Sequence, residues 1–277
     1  MVSKSFLKTW LRRLYQEVWQ RTVSEVDGEE LKQSAIVFSP HPDDETLGCG
    51  GTIIRKKSAG AAVKIVFMTD GRQSHKQFIS EEALKAIRTG EALAASQMLG
   101  VVGSDVLFLD FQDGVLCKYQ DLAIQRVTEL LWQNQPAQVF VPHHKEPPPD
   151  HLATYQIVRS ALRAYDNNVT IYEYPVWLWQ HWPWAGLPVL SRRRMLSIFR
   201  QNIVSSLSLL ADLRHRVYIG DILELKRAAL NQHKSQMTRL IPDPGWLTLA
   251  HVSNGEFLEC FFQEHELFYR YDSRCKI

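Results

Sequence analysis

The densest run of reactive side chains is SPHPDDETLGCGGT, residues 39–52. Asp43, Asp44 and Glu45 are consecutive carboxylates that repel one another, so their retention after an apolar run implies a cation. His41 and Asp44 stand three apart, a separation that lets both side chains converge on one point where the backbone is tight. Asp43, between them, must point elsewhere. Imidazole plus carboxylate suits zinc or a similar transition metal. A catalytic zinc site uses three protein ligands and keeps one position open, so a third ligand is expected from another strand end. His151, in PPPDHLAT, is the candidate. One Asp and two neutral His leave the centre net positive, enough to draw the pKa of bound water toward neutrality. Asp43, close by but unbound, is then the expected general base. Gly48, Gly50 and Gly51 are expected to let the backbone approach a ligand.

Such residues need a frame, and the surrounding pattern supplies one. SAIVFS (34–39), AVKIVFMTDG (62–71), DVLFLDF (105–111), AQVFVPH (137–143) and NVTIYEYP (168–175) read as strands. Between them lie helical stretches at 80–100, 119–135 and 150–165; Ser80 is the expected N-cap of the first, and Gly100 ends it. Nearly continuous apolar strands separated by helices predict a mostly parallel sheet covered on both faces, a Rossmann-like doubly wound α/β fold. In that fold ligands bind beyond the C-terminal strand ends. SPHPDDE, TDGR, DFQDG and PHHKEPPPDH all leave strands there, so the polar residues gather at one rim.

Composition narrows the class. With 277 residues, 45% of them hydrophobic, the chain can bury a substantial core, and a net charge of +2 gives no strong field for nucleic acid. Cys49, Cys117, Cys260 and Cys275 form no C-x-x-C pair, which argues against a cysteine zinc site or disulfide framework and fits a reducing cytoplasm. No apolar run approaches a membrane span and no signal peptide is evident, so a soluble, cytoplasmic protein is expected. Residues 1–33 read as an N-terminal amphipathic helix, with Phe6, Trp10, Leu11, Leu14, Val18 and Trp19 at helical spacing. It either packs on its own domain or makes peripheral contact with a membrane. Residues 34–277 form the remaining domain.

HPDDE-x-LGCGGT, TDG, IRTGEALAASQMLGV, FQDGVL, PDHLAT and KRAALNQHKSQ together resemble the LmbE-like, or PIG-L, family of zinc-dependent N-deacetylases, from about Ser34 to Gln236. The resemblance implies removal of an acetyl group from an N-acetylglucosamine unit on a lipid, thiol, nucleotide or sugar conjugate. It implies His41, Asp44 and His151 as ligands of one Zn2+, Asp43 as general base, and Arg88 and Asp113 as contacts to sugar hydroxyls. One position departs from the family. Many members carry HPDH, whose first histidine polarises the carbonyl or protonates the leaving amine; Pro148 stands in that place here. His143, His144 or His233 is then expected to substitute, or the metal acts alone.

Plainer readings stand beside these. Arg88 can be a solvated helix residue paired with Glu81 or Glu91, Asp113 a turn residue, and His233 surface decoration on a helix. Trp177, Trp179, Trp182 and Trp184 can stack on sugars, cover the sheet or meet a lipid interface, and SRRRML (191–196) can meet a phosphate or simply be solvated. Among functions, an amidase acting on a non-sugar conjugate competes with the sugar deacetylase, and a catalytically impaired sugar-binding module follows it. A nucleotide-dependent oxidoreductase is disfavoured, because GCGG lacks G-x-G-x-x-G spacing and a phosphate would face three carboxylates.

Overall fold

The computed structural model describes residues 17–19, 21–181, 207 and 209–274. Its frame is an eight-stranded sheet in the order β1-β7-β8-β6-β5-β2-β3-β4. The strands are β1 (Ser24–Glu25), β2 (Ala35–Ser39), β3 (Val63–Thr69), β4 (Val106–Phe111), β5 (Gln138–Pro142), β6 (Thr170–Tyr174), β7 (His215–Tyr218) and β8 (His265–Asp272). The helices used below are α1 (Gly28–Lys32), α2 (Asp44–Ser58), α3 (Glu81–Met98), α4 (Gln120–Asn134), α5 (Pro149–Tyr165), α6 (Leu223–Leu230), α7 (Lys234–Met237) and α8 (Glu256–Glu259). Strands β2 to β6 are mutually parallel, as the apolar runs predict.

Both faces are buried for the reason the sequence suggests. Along β2, Ala35 and Val37 pack with Leu47 and Ile53 of α2 on one face. Ile36 and Phe38 pack with Val127 and Leu131 of α4 and Ile157 and Leu162 of α5 on the other. Side chains with a period of two thus feed two cores from one strand. Ser80 caps α3 by accepting from the Ala83 N–H at 3.3 Å.

The chain leaves β2 toward β3 and β4 on one side, then returns to β5 and β6 on the other. The reversal lies between β2 and β5, which pair directly. Helices α2 and α5 start at the C-terminal ends of these two strands, so their N-termini flank the crevice where such sheets bind ligands.

The expectation for the N-terminal segment is corrected at the far edge. The N-terminal helix does not run to residue 33: Ser24–Glu25 form a strand parallel to β7, and α1 is a separate short helix capped by Asp27. Trp19 makes an edge contact with Trp179 at 6.1 Å, so the described end of this segment packs on its own domain. Phe6, Trp10, Leu11 and Leu14 lie outside the described residues, as do Trp182, Trp184, SRRRML and Cys275. At the same edge β8 inserts antiparallel between β6 and β7.

Candidate metal centre and active site

Strand β2 ends at Ser39, and α2 begins at Asp44. The intervening turn folds back so that the His41 N–H donates to Asp44 Oδ2 at 3.1 Å. That oxygen also faces His41 Nδ1 at 3.1 Å and His151 Nε2, from the first turn of α5, at 3.1 Å. His41, Asp44 and His151 each present one donor atom, all within 4.8 Å of one another. The three residues singled out as ligands therefore share one focus.

The far nitrogens of both rings face carboxylates. His41 Nε2 lies 3.2 Å from Asp113 Oδ1 and 3.4 Å from Asp150 Oδ2. His151 Nδ1 lies 3.2 Å from Glu146 Oε2. These carboxylates are themselves anchored. Asp150 accepts from the Gly114 and Leu116 N–H groups at 2.6 and 3.0 Å. Glu146 accepts from Val176, Trp177 and Leu178. A carboxylate behind an imidazole fixes its tautomer and raises its basicity toward a metal. Both His151 nitrogens are buried without an aligned hydrogen bond. That orphaned Nε2, aimed at the same point as Asp44 Oδ2 and His41 Nδ1, fits a divalent ion with a mixed nitrogen and oxygen donor set.

Charge in the cluster follows from this packing. Burial opposes ionisation of His41, but the hydrogen bonds it donates to Asp113, Asp150 and Asp44 outweigh it and hold the imidazole well above its usual range. Burial likewise opposes charge on His151, yet Asp44 and Glu146 raise it to about 9. Asp44, although buried, is held far below the carboxylate range by His151 and His41. Without a metal, the two rings thus carry the positive charge that an ion would supply.

Asp43 behaves oppositely. Burial pushes its carboxyl up to about 7, Arg88 opposes the rise, and Asp44 adds to it. Its backbone has φ 129° and ψ −29°, a conformation rarely adopted by a residue with a side chain. The Asp43 N–H donates to Glu45 Oε2 at 3.0 Å, and its Oδ2 lies 3.2 Å from Arg88 Nη2. Arg88 is buried, and its guanidinium also donates to the carbonyls of Gly71 and Pro42. Gly71, with φ +65°, makes room for it: a Cβ there would lie 2.8 Å from Nη1. The solvated reading of Arg88 fails, since Glu91 is spent on Ser235 instead. Arg88 sits against Asp43. Asp113 faces His41 with one oxygen and accepts from the Gln73 N–H with the other at 3.0 Å, so it is more than a turn residue.

The histidines offered as substitutes at the departed position fall elsewhere. Pro148 is the N-cap of α5, and Pro149 opens the helix. His144 Nδ1 lies 2.6 Å from Glu173 Oε2, and its ring stacks on His143. His143 Nε2 lies 3.6 Å from Asp212, and burial drives that imidazole down to about 2. These residues form a second group, apart from the His41, Asp44 and His151 focus. His233 is fully buried, which corrects the surface reading. Its Nε2 lies 3.3 Å from Oε1 of Glu45, the carboxylate that accepts from the Asp43 N–H.

Sequence reasoning did not single out Glu146, Asp150 and Glu45 for these positions. The available signal was proximity: Glu146 and Asp150 flank the proline run beside His151, and Glu45 follows the ligand motif. The glycines also have a different use from the one expected. A Cβ on Gly48 would lie 2.2 Å from Tyr174 Cδ2, and one on Gly51 would lie 2.5 Å from Ile219 Cγ2. They seat α2 on its neighbours, not on a ligand. Trp177 stacks on Phe257 and Trp179 is buried, so both belong to the core.

Comparison with known proteins gives a family match and a shared fold. Residues 36–162 match the family described as PIG-L: GlcNAc-PI de-N-acetylase. A Bacillus cereus protein named "Probable N-acetyl-alpha-D-glucosaminyl L-malate deacetylase 2" is 23% identical, across 87% of this chain and 99% of that protein. The diacetylchitobiose deacetylase of Thermococcus kodakarensis is 24% identical, across 77% of this chain and 72% of that protein. Among solved structures, the N,N'-diacetylchitobiose deacetylase from Pyrococcus horikoshii shares the fold with a TM-score of 0.63 at 21% identity. That match covers 99% of this chain and 96% of the other.

Proposed function

From the match of residues 36–162 to the PIG-L family, we propose that this chain is a metal-dependent N-deacetylase acting on an N-acetylglucosamine-type sugar conjugate. The observation that carries the reading is the common focus of His41 Nδ1, Asp44 Oδ2 and His151 Nε2 beside a buried carboxylate, Asp43, that is not one of the three. The relatives support the substrate class, since one is named for an N-acetyl-glucosaminyl conjugate and the other for diacetylchitobiose.

When bound by these residues, zinc or another divalent ion supplies Lewis acidity, polarising a carbonyl and acidifying water. The protein's own groups divide the remaining work. Asp113 and Asp150 hold the His41 ring, Glu146 holds His151, and Arg88 orients Asp43 and favours its charged form. Asp43 takes a proton from the water that adds to the acetamide carbon. As the C–N bond breaks, it returns that proton to the departing nitrogen, giving acetate and a free amine. His233 supports Asp43 through Glu45 and through its own field, and this route gives His144 no proton to move. The thiols of Cys49 and Cys117 support a cytoplasmic setting. No helix among the described residues is long and apolar enough to cross a membrane.

The test is release of free amine from N-acetylglucosaminides, with non-sugar N-acyl conjugates in parallel, by protein stripped of metal and then reloaded with zinc. Sugar amine released only after reloading supports the reading. Release confined to the non-sugar compounds replaces the substrate class, and no release from any compound removes the activity.

A further inference from the structure

Helix α2 is broken. Cys49, inside it, has φ −146° and ψ 21°, far from helical values. In an unbroken helix the Gly51 N–H would donate to the Leu47 carbonyl four residues earlier. The break separates these two groups, and a buried ion pair fills the gap. The Leu47 carbonyl accepts from Lys226 Nζ at 2.9 Å, and the Gly51 N–H donates to Glu266 Oε1 at 2.8 Å. Lys226 and Glu266 close the circuit at 2.7 Å.

Every remaining valence is used. Lys226 gives its third donor to the Phe261 carbonyl at 2.9 Å. Glu266 Oε2 accepts from the Thr52 N–H and hydroxyl at 2.7 and 2.6 Å, and so caps the second half of α2. The two residues arrive from α6 and β8, both outside the β2–β6 frame, and both are almost fully buried.

The segment before the break, Asp44 to Gly48, is barely more than one turn. A single turn does not hold its own direction, because nucleating a helix costs more than one hydrogen bond returns. Yet this turn follows Asp43 and carries Asp44 and Glu45. We propose that Lys226 and Glu266 are positioning residues of the site: the ion pair inserted into the broken turn sets the orientation of the segment bearing the ligand Asp44 and the base Asp43. The inference rests on the metal-site reading above.

Its test has three readouts, taken on Glu266→Gln, Lys226→Met and the double variant. Amide exchange in metal-free protein should accelerate at Gly51 and Thr52 by at least about tenfold relative to Ile53 and Ile54. Zinc affinity, read by competition with a chromophoric chelator, should fall roughly 10- to 100-fold. In steady-state assays kcat should fall by a similar factor while KM stays within about twofold. The double variant separates positioning from stability. It buries no lone charge, so its Tm should return toward wild type while zinc affinity and kcat stay low. Recovery of zinc affinity together with Tm would make the pair purely structural and overturn the proposal, as would unchanged exchange and affinity in both single variants. Exchange and zinc affinity need no substrate, so they judge the pair even if wild type releases no amine.

Discussion

Replacing Asp43 by Asn isolates proton transfer from metal binding. The amide nearly matches the carboxylate in size and can keep an oxygen toward Arg88, which lies 3.2 Å from Oδ2 in the native site. The neighbouring Asp44 retains both histidine contacts. Metal content and fold should therefore persist. The variant loses only the ability to take up a proton, a contribution of roughly 10²- to 10⁴-fold for a general base. At about 1.4 kcal/mol per tenfold, that is about 3 to 5 kcal/mol of barrier. The pH dependence gives a second check with a definite sign. A base must be ionised to act, and burial raises Asp43 to about 7, so kcat/KM should fall as pH drops through that value. A bound cation favours the ionised form, placing the limb at or below pH 7. The Asn variant should lack this limb. Turnover within threefold of wild type at full zinc occupancy would refute the assignment and make Glu45 the next base to examine.

Other substitutions probe the surrounding contacts. Arg88→Met removes the positive charge that holds Asp43 down, so the acidic limb should move to higher pH with KM nearly unchanged; a large rise in KM at a fixed limb would restore the sugar-contact reading. His151→Ala should lower zinc content measured by elemental analysis while far-UV circular dichroism stays native, because His151 stands on the first turn of α5 at the rim. Full zinc occupancy there would remove it from the ligand set. Gly48→Ala forces a Cβ to within 2.2 Å of the Tyr174 ring and should cost about 1–3 kcal/mol in denaturant unfolding. Wild-type stability in that variant would mean that α2 does not press on Tyr174 as described.

The central frame was legible because β2, β3, β5 and β6 are buried on both faces, which leaves short apolar runs between amphipathic helices. The convergence of His41, Asp44 and His151 was legible because His41 and Asp44 are local and His151 sits at a matching strand end. What escaped reading depends on contacts far apart in sequence. β8 resembles a surface stretch because it carries Glu266 and Arg270. Glu266 is nonetheless buried against Lys226, and Arg270 pairs with Glu30, 240 residues away. His233 looked like surface decoration because nothing near it announces Glu45, 188 residues earlier. The glycines of GCGG suggested ligand contact, and only the position of Tyr174 and Ile219 reveals that they serve packing.

The most direct test of the account is a zinc titration of metal-free protein, followed by formation of free amine from an N-acetylglucosaminide. The account predicts no activity at the start, a linear rise, and a plateau at about one zinc per chain, the stoichiometry of a single three-ligand catalytic site. Equal turnover before and after zinc would contradict it, and so would a plateau that survives the combined loss of His41, Asp44 and His151.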